Sequence, residues 1–437
     1  MQKLTTISNW GNYPRVEAEV DNFNSNVKLE NPPMIARGTG LSYGDASLSP
    51  HIISTLSFNK IISFDAATGI IVTEAGATLD EVLRKVVPQG WFLPVTPGTK
   101  YITVGGAVAG DIHGKNHHSE GSFCNYVKRL DIMMADGSVV SCGPNERTDL
   151  FKTVCGGLGL SGIILRVEFS LKKIETSYIR QTNVIIHNLD EMLERLKEFN
   201  TTTYSVAWVD CLARGKSLGR GVLMLGEHAK LNEIKKSEPL KVHKDPLIKV
   251  PMYAPGFILN RLSIGAFNFA FFNKHKLTSK YLTVHYDPYF YPLDFMRNWN
   301  KMYGRRGFLQ YQFVIPFENG ANGLRGIIDA IAKEGASSFL TVLKALGPSN
   351  NLISFPMPGL TLALDFPVSK SIFPFLDKLD KTVIDLGGRI YLVKDARMAP
   401  DVYWKGYPQA SAFKDMVKKF DPQGKFASYL SQRLKMI

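Results

Sequence analysis

Two glycine-rich stretches constrain this chain more than any other feature. IARGTGLSYGD, from Ile35 to Asp45, carries Gly38, Gly40 and Gly44 beside Arg37 and Ser42. PGTKYITVGGAVAGDIHGKN, from Pro97 to Asn116, carries Gly98, Gly105, Gly106 and Gly110, with Thr103 and Lys115. Glycine is costly inside helices and strands, so neither stretch belongs to a long regular element. It does reach the dihedrals that turn successive N–H groups to one side, and it lets a ligand approach the backbone. Two such segments, each with short strands nearby, suit a pyrophosphate held between two halves of a fold. The alternative is a pair of ordinary turn-rich loops.

The sequence around them is punctuated by short elements. IISFD and GIIVTEAG read as strands joined by a tight turn at Ala66 to Gly69. LDEVLRKVVPQG reads as an amphipathic helix with Leu79, Val82, Leu83 and Val86 on one face, stopped at Pro88. VKRLDIMMADGSVVSCG reads as a hairpin in which Asp136 and Gly137 supply the positive φ angles. DLFKTVCGG is a short helix and SGIILRVEFSL a strand. From about Thr176 longer helical patterns (LDEMLERLKEF, GLRGIIDAIAKEG) alternate with aromatic strands (YSVAWVDC, GFLQYQFVIP, LTLALDFPV). The expected class is α+β, with a second domain built on an antiparallel sheet covered by helices.

GLGLSG, Gly157 to Gly162, fits the GxGxxG pattern of a dinucleotide turn. That turn needs a strand before it and a helix after it. Here the helix comes first, so a Rossmann reading is rejected. His113, His117 and His118 cluster in GDIHGKNHHSEG. The i, i+4 pair invites a metal reading, but Gly114 interrupts the turn and no HExxH or cysteine partner accompanies it, so no metal ligand set is assigned.

The chain has 437 residues with formal net charge +13, and 45% of them are hydrophobic. That balance supports a large core and favours an anionic partner. Lys230, Lys235, Lys236, Lys241, Lys244 and Lys249 crowd one segment, and an aromatic run from Leu262 to Phe272 follows, flanked by Arg261, Lys274 and Lys276. Basic residues beside exposed aromatics suit a membrane interface; a buried segment with a solvated loop is the alternative. The four cysteines form no CxxC pair, which points to a reducing compartment. No secretory signal and no membrane-spanning run is read. The localisation expected is cytoplasmic or peripheral membrane, with the periplasmic face left open. No helix-turn-helix or RNP pattern is present, so no nucleic-acid partner is expected.

On ARGTGLSYGD, PGTKYITVGGAVAGDIHG and CGGLGLSGII the chain resembles flavoproteins of the vanillyl-alcohol-oxidase and p-cresol-methylhydroxylase type. Within them, DIHGKNHHSEGSF, FLQYQFVIP, LDFP and the DP..KFAS segment resemble the decaprenylphosphoryl-ribose 2′-oxidases, nearly from Trp10 to the C-terminus. The resemblance implies a two-part FAD-binding domain, 1–174 and 389–437, with a substrate domain, 175–388, inserted between. It implies flavin contacts at Ala36, Arg37, Gly38, Thr39, Gly40, Leu41, Ser42, Tyr43, Gly44, Asp45 and Ala46. On the second segment it implies Gly98, Thr103, Val104, Gly105, Gly106, Gly110, Asp111, Ile112, His113 and Lys115, and elsewhere Ile164 and Tyr391. His117 and His118 would be scaffold.

Many relatives carry, in place of Leu41, a histidine bonded covalently to the flavin, so FAD is expected here without a covalent bond. The implied activity is FAD-dependent oxidation of a CH–OH group: the 2-hydroxyl of a polyprenyl-phosphoryl pentose. A separate short-chain reductase would complete the epimerisation. Lys394 would stabilise reduced flavin and handle the proton. Lys344, Gln310 and Gln312 would line the sugar pocket, with Tyr43 and His113 beside them. Strand alternation aims both glutamines one way and Tyr311 the other. Members of the family carry cysteine and asparagine where this chain has Ala363 and Thr361, both on the sugar side. A soluble-substrate aldonolactone oxidase and a non-enzymatic basic binding protein are the other readings.

Overall fold

The computed structural model describes residues 4–24, 29, 33–255, 258–278, 280–335, 338 and 340–437. Three sheets carry the architecture. The first has the order Thr5–Ser8, Arg15–Asn22, His51–Ser54, Met34–Arg37, with parallel pairing on both sides of His51–Ser54. The second is antiparallel, in the order Ile61–Asp65, Ile70–Glu74, Ile163–Ser170, Val127–Met133, Val139–Cys142. The third has eight antiparallel strands: Tyr281–His285, Tyr178–Ile186, Gly221–His228, Tyr204–Val209, Thr341–Leu346, Gly359–Pro367, Phe308–Pro316 and Arg389–Ile390.

The large sheet is covered on both faces. Helices Leu189–Glu198, Phe317–Glu334 and Ile372–Asp385 lay Leu196, Ile327, Ile331 and Leu376 on one face, against Ala207, Tyr311, Phe313, Leu343 and Leu364. The period-2 alternation of strand Phe308–Pro316 sends Gln310 and Gln312 to the opposite face, into a cleft. That face is polar around the two glutamines and apolar further along, where Trp208 and Val222 lie.

The smaller elements follow their sequence signals. Helix Leu79–Val86 buries Leu79, Val82, Leu83 and Val86, and Thr78 with Glu81 forms its capping box. Pro88 falls in a 3₁₀ turn that ends it at Gly90 (φ 77°). The hairpin at Asp136-Gly137 needs a correction. Only Gly137 takes a positive φ (85°), within a five-residue connection closed by Met134 N–H to Ser138 O at 2.8 Å; the Asp136 carboxylate instead accepts from Ser138 N–H.

The aromatic run lies in helix Arg261–Leu277, which divides the two sequence alternatives between its faces. Ile264 and Phe272 are buried, Phe272 against Trp208 and Val222, while Leu262 (85% exposed) and Phe269 (66%) point outward. The lysine-rich segment before it has little regular structure. His243 pins it, bonding Asp80 Oδ1 at 2.6 Å and the Tyr286 hydroxyl at 2.5 Å. Among the described residues no helix is long and apolar enough to cross a membrane.

The C-terminal residues return to the first sheet. Met34 N–H donates to Lys425 O and Ala427 N–H to Met34 O, both at 2.9 Å. Arg433 reaches Asp45 (2.8 Å) and Asp395 (2.9 Å), both buried carboxylates.

Candidate active site

One cleft of about 490 Å³ gathers residues from all these parts. Its walls are the loop after strand Met34–Arg37, the helix Val104–Ala109, the turn at Leu158 to Gly162, the segment Leu293 to Trp299 and the polar face of the large sheet.

The loop wall is an unspent row of donors. Among the described residues, the backbone N–H groups of Gly38, Thr39, Gly40, Leu41 and Ser42 meet no protein acceptor. Gly40 sits at φ 68°, which a side chain would strain. Arg37 braces the loop from behind, donating to Asn9 Oδ1 (2.5 Å) and Ser8 O (3.0 Å); burial lowers its pKa to about 10. Loops of this kind hold phosphate oxygens.

The second glycine segment does a different job from the expected one. Val104 N–H donates to Ala77 O, Gly105 N–H to Ala75 O and Gly106 N–H to the Thr103 hydroxyl, so these donors are used internally. Its glycines permit close packing instead. A Cβ on Gly105 would lie 2.8 Å from Ala75 Cβ, and one on Gly38 would overlap the Thr103 side chain. Helix and loop therefore meet with nothing between them.

Charged groups collect at the sheet end. The Lys394 ammonium lies 3.9 Å from the centre of the Tyr43 ring. Burial lowers Lys394 to about 7; the Asp365 carboxylate opposes that shift and Lys344 adds to it. Lys344 is itself lowered to about 8 by burial. Asp365 is fully buried, and burial raises it to about 7. Its Oδ1 accepts from Gln310 Nε2 at 2.6 Å and its Oδ2 from the Tyr303 hydroxyl at 3.4 Å. Burial and the same carboxylate push the Tyr43 phenol well up, so it is neutral.

His113 packs against the rings of Phe355 and Tyr391, which stack on each other at 4.4 Å. Burial, then Lys344, holds its pKa well below the usual histidine range, so it is neutral. Its Nε2 accepts from Gln312 Nε2 at 3.2 Å, and that amide also donates to Thr361 Oγ1 at 3.3 Å. Gln312 and Val342 both face Ala363 across the ladder, and Lys344 faces Thr361, so these side chains share the cleft side of the sheet.

The cleft thus brings together Ala36 to Tyr43, Ala46, Gly98, Thr103, Gly105, Gly106, Gly110, Ile112, His113, Ile164, Gln310, Gln312, Lys344, Tyr391 and Lys394. Five expected contacts do not line it. Gly44 lies against the Asp395 backbone, and Asp45 is turned to Arg433. Val104 is on the buried side of its helix. Asp111 accepts from Cys124 N–H, Asn351 and Ser354. Lys115 donates to Tyr289 O and sits 4.2 Å from the Tyr289 ring, with burial lowering it to about 7. In each case a nearer protein partner claims the group. His117 bonds Ser122 and Gly347 N–H, and His118 bonds Thr202 O. Sequence reasoning missed Trp10, Leu158, Asp294 and Met296 to Trp299 as lining residues. GLGLSG was the available signal for one of these walls; the others carry none.

A family description, FAD binding domain, matches residues 13–143. Decaprenylphosphoryl-beta-D-ribose oxidase of Mycolicibacterium smegmatis is 36% identical over 415 residues, 92% of this chain and 89% of that protein. The chain belongs to the decaprenylphosphoryl-β-D-ribose oxidase family. An uncharacterised Streptomyces coelicolor protein is 30% identical over 82% of this chain and 99% of its own length. A putative D-arabinono-1,4-lactone oxidase of Neurospora crassa is 32% identical, but over only 30% of this chain. As a member of this oxidase family the chain is an FAD-dependent oxidoreductase. The residues present fit the coenzyme: consecutive amide donors without protein acceptors suit a diphosphate, and the same cleft reaches the cation-rich sheet face.

Proposed function

We propose that this oxidoreductase converts the 2-hydroxyl of a polyprenyl-phosphoryl pentose to a ketone, and that a separate short-chain reductase consumes the keto sugar. The observation that carries this reading is the near full-length similarity to an oxidase of decaprenylphosphoryl-ribose, joined to a cleft whose polar end offers Lys394, Lys344, Gln310 and Gln312. Residues 1–174 and 389–437 are read as the flavin part and 175–388 as the substrate part, in the vanillyl-alcohol-oxidase arrangement.

Ala36 to Ser42 and the glycine face of Val104–Ala109 would hold FAD, which supplies a two-electron acceptor when bound. Leu41 offers no nucleophile, so the coenzyme is held without a covalent bond. The protein's part is proton and charge management. With a pKa near 7, Lys394 populates both amine and ammonium at neutral pH. The amine takes the hydroxyl proton at Nζ; the ammonium offsets negative charge left in the cleft. Lys344 provides a second cation, and Gln310 and Gln312 orient the sugar. Ala363 leaves no thiol on this wall for electrophilic inhibitors.

A lipid-linked substrate also suits the cleft's outer rim. Strand Ile248–Lys249 pairs with Met296–Arg297, and Met296 and Arg297 line the cleft. Leu247 (100% exposed), Met252 (72%) and Phe295 (51%) project near this rim, with Lys244, Lys249 and Lys301 among them. This rim, with the outward face of helix Arg261–Leu277, is read as a peripheral membrane contact. The protein should float with vesicles containing anionic lipid, and Leu247→Glu with Met252→Glu should abolish that; unchanged flotation of the double variant removes the assignment.

The decisive test of the reaction is anaerobic. Polyprenyl-phosphoryl ribose should bleach the flavin absorption of the purified protein, and the product should carry a 2-ketone. Bleaching by free aldonolactones instead would establish the soluble-substrate reading.

A further inference from the structure

Both cleft glutamines have their amide nitrogens tied down. Gln310 Nε2 donates to Asp365 Oδ1, and Gln312 Nε2 donates to His113 and Thr361. The Tyr43 phenol reaches the Gln310 amide, and neither Oε1 is sealed from the cleft. The cleft therefore presents two carbonyl oxygens, which accept hydrogen bonds and cannot donate them. That polarity suits a ligand that brings hydroxyl donors, as a sugar does.

An amide can turn over about its terminal bond, so something must fix which end faces inward. For Gln310 the fixing group is Asp365. In its ionised form Asp365 only accepts, so the amide N–H₂ then faces it and the carbonyl faces the cleft. Asp365 is well suited to that task. It is fully buried, its backbone N–H donates to Ser338 Oγ at 3.0 Å, and Tyr303 holds its second oxygen. Gln310 and Asp365 are directly opposite on adjacent strands, so the pair is built into the sheet register. The negative charge also acts on Lys394, against the effect of Lys344.

We propose that Asp365 is a positioning residue that orients Gln310 as a hydrogen-bond acceptor toward the sugar. This assignment rests on the sugar-oxidation reading above.

The test uses FAD-loaded full-length protein. Asp365→Asn keeps the shape and adds a donor, so Gln310 can turn its N–H₂ into the cleft. KM for the lipid-linked pentose should rise about tenfold to a hundredfold, the cost of replacing a buried hydrogen bond by two facing donors. Adding Gln310→Glu should recover most of that loss, because the introduced asparagine amide then donates to the new carboxylate, which again presents an acceptor to the cleft. A merely structural role gives no such rescue. Absence of rescue, in a double variant that still binds FAD, overturns the assignment.

If the wild-type flavin is not bleached by the pentose, the sugar reading itself falls; a wild type that is bleached beside a double variant that shows no rescue overturns the orientation of Gln310 alone.

Discussion

The contact between Gly38 and Thr103 allows a quantitative test of how the flavin cleft is assembled. A Cβ placed on Gly38 would lie 2.9 Å from Thr103 Cγ2 and closer still to its hydroxyl oxygen. The hydroxyl cannot swing away freely, because it accepts from Gly106 N–H at 3.2 Å and caps the helix Val104–Ala109. Gly38→Ala must therefore push the loop off the helix or break the cap. Overpacking of this kind costs ~1–3 kcal/mol. If the loop moves, that cost appears as FAD binding weakened about 5- to 150-fold. Thr103→Ala alone loses the cap, at about 0.5–2 kcal/mol. In the double variant the nearest remaining Thr103 atom is Cβ, at 3.1 Å, so most of the clash is gone and the cost approaches that of Thr103→Ala. The two changes should be coupled by about 1–2 kcal/mol, favouring the double variant. Flavin release, followed by fluorescence across a dilution series, gives all four corners of the cycle. Additive losses, or wild-type affinity in Gly38→Ala, would refute the proposed steric contact.

Three further outcomes follow from the geometry. Lys394→Met should keep FAD and the fold but lose most turnover; near-normal kcat would remove that lysine from the mechanism. Lys344→Met removes a neighbour that lowers Lys394, so Lys394 should titrate higher and the acidic limb of kcat/KM should move to higher pH; a limb that stays put shows the two amines are independent. Arg433→Met strands two buried carboxylates and should destabilise the fold by about 3–5 kcal/mol near neutrality. Burial alone would raise Asp395, but Arg433 and Arg397 outweigh it and hold its pKa below the ordinary value. Its contribution is therefore present above the unfolded pKa and fades as pH falls, so the gap between wild type and Arg433→Met in thermal unfolding should narrow in acid.

Local periodicity made part of this molecule readable. The four buried positions of Leu79–Val86 and the alternation that turns Gln310 and Gln312 away from Tyr311 both depend on neighbours a few residues apart. What the sequence concealed is set by partners far along the chain. Lys115 has the chemistry of a ligand contact, but Tyr289 takes its ammonium. The N–H groups of Val104 and Gly105 look available until strand Ile70–Glu74 leads into Ala75 and Ala77, whose carbonyls they meet. Helix Arg261–Leu277 mixes apolar residues on both faces, so its pattern did not say which side is covered. Asp365 sits within the LDFP signature, yet its role depends on the register between two strands, which no one-dimensional pattern displays.

The fastening of Asp45 by Arg433 spans 388 positions of sequence. During synthesis Asp45 waits for its partner until nearly four hundred further residues have been made. A ribosome-stalled fragment ending before Arg433 should therefore hold FAD less tightly than the finished polypeptide, its loop braced by Arg37 without the second clamp.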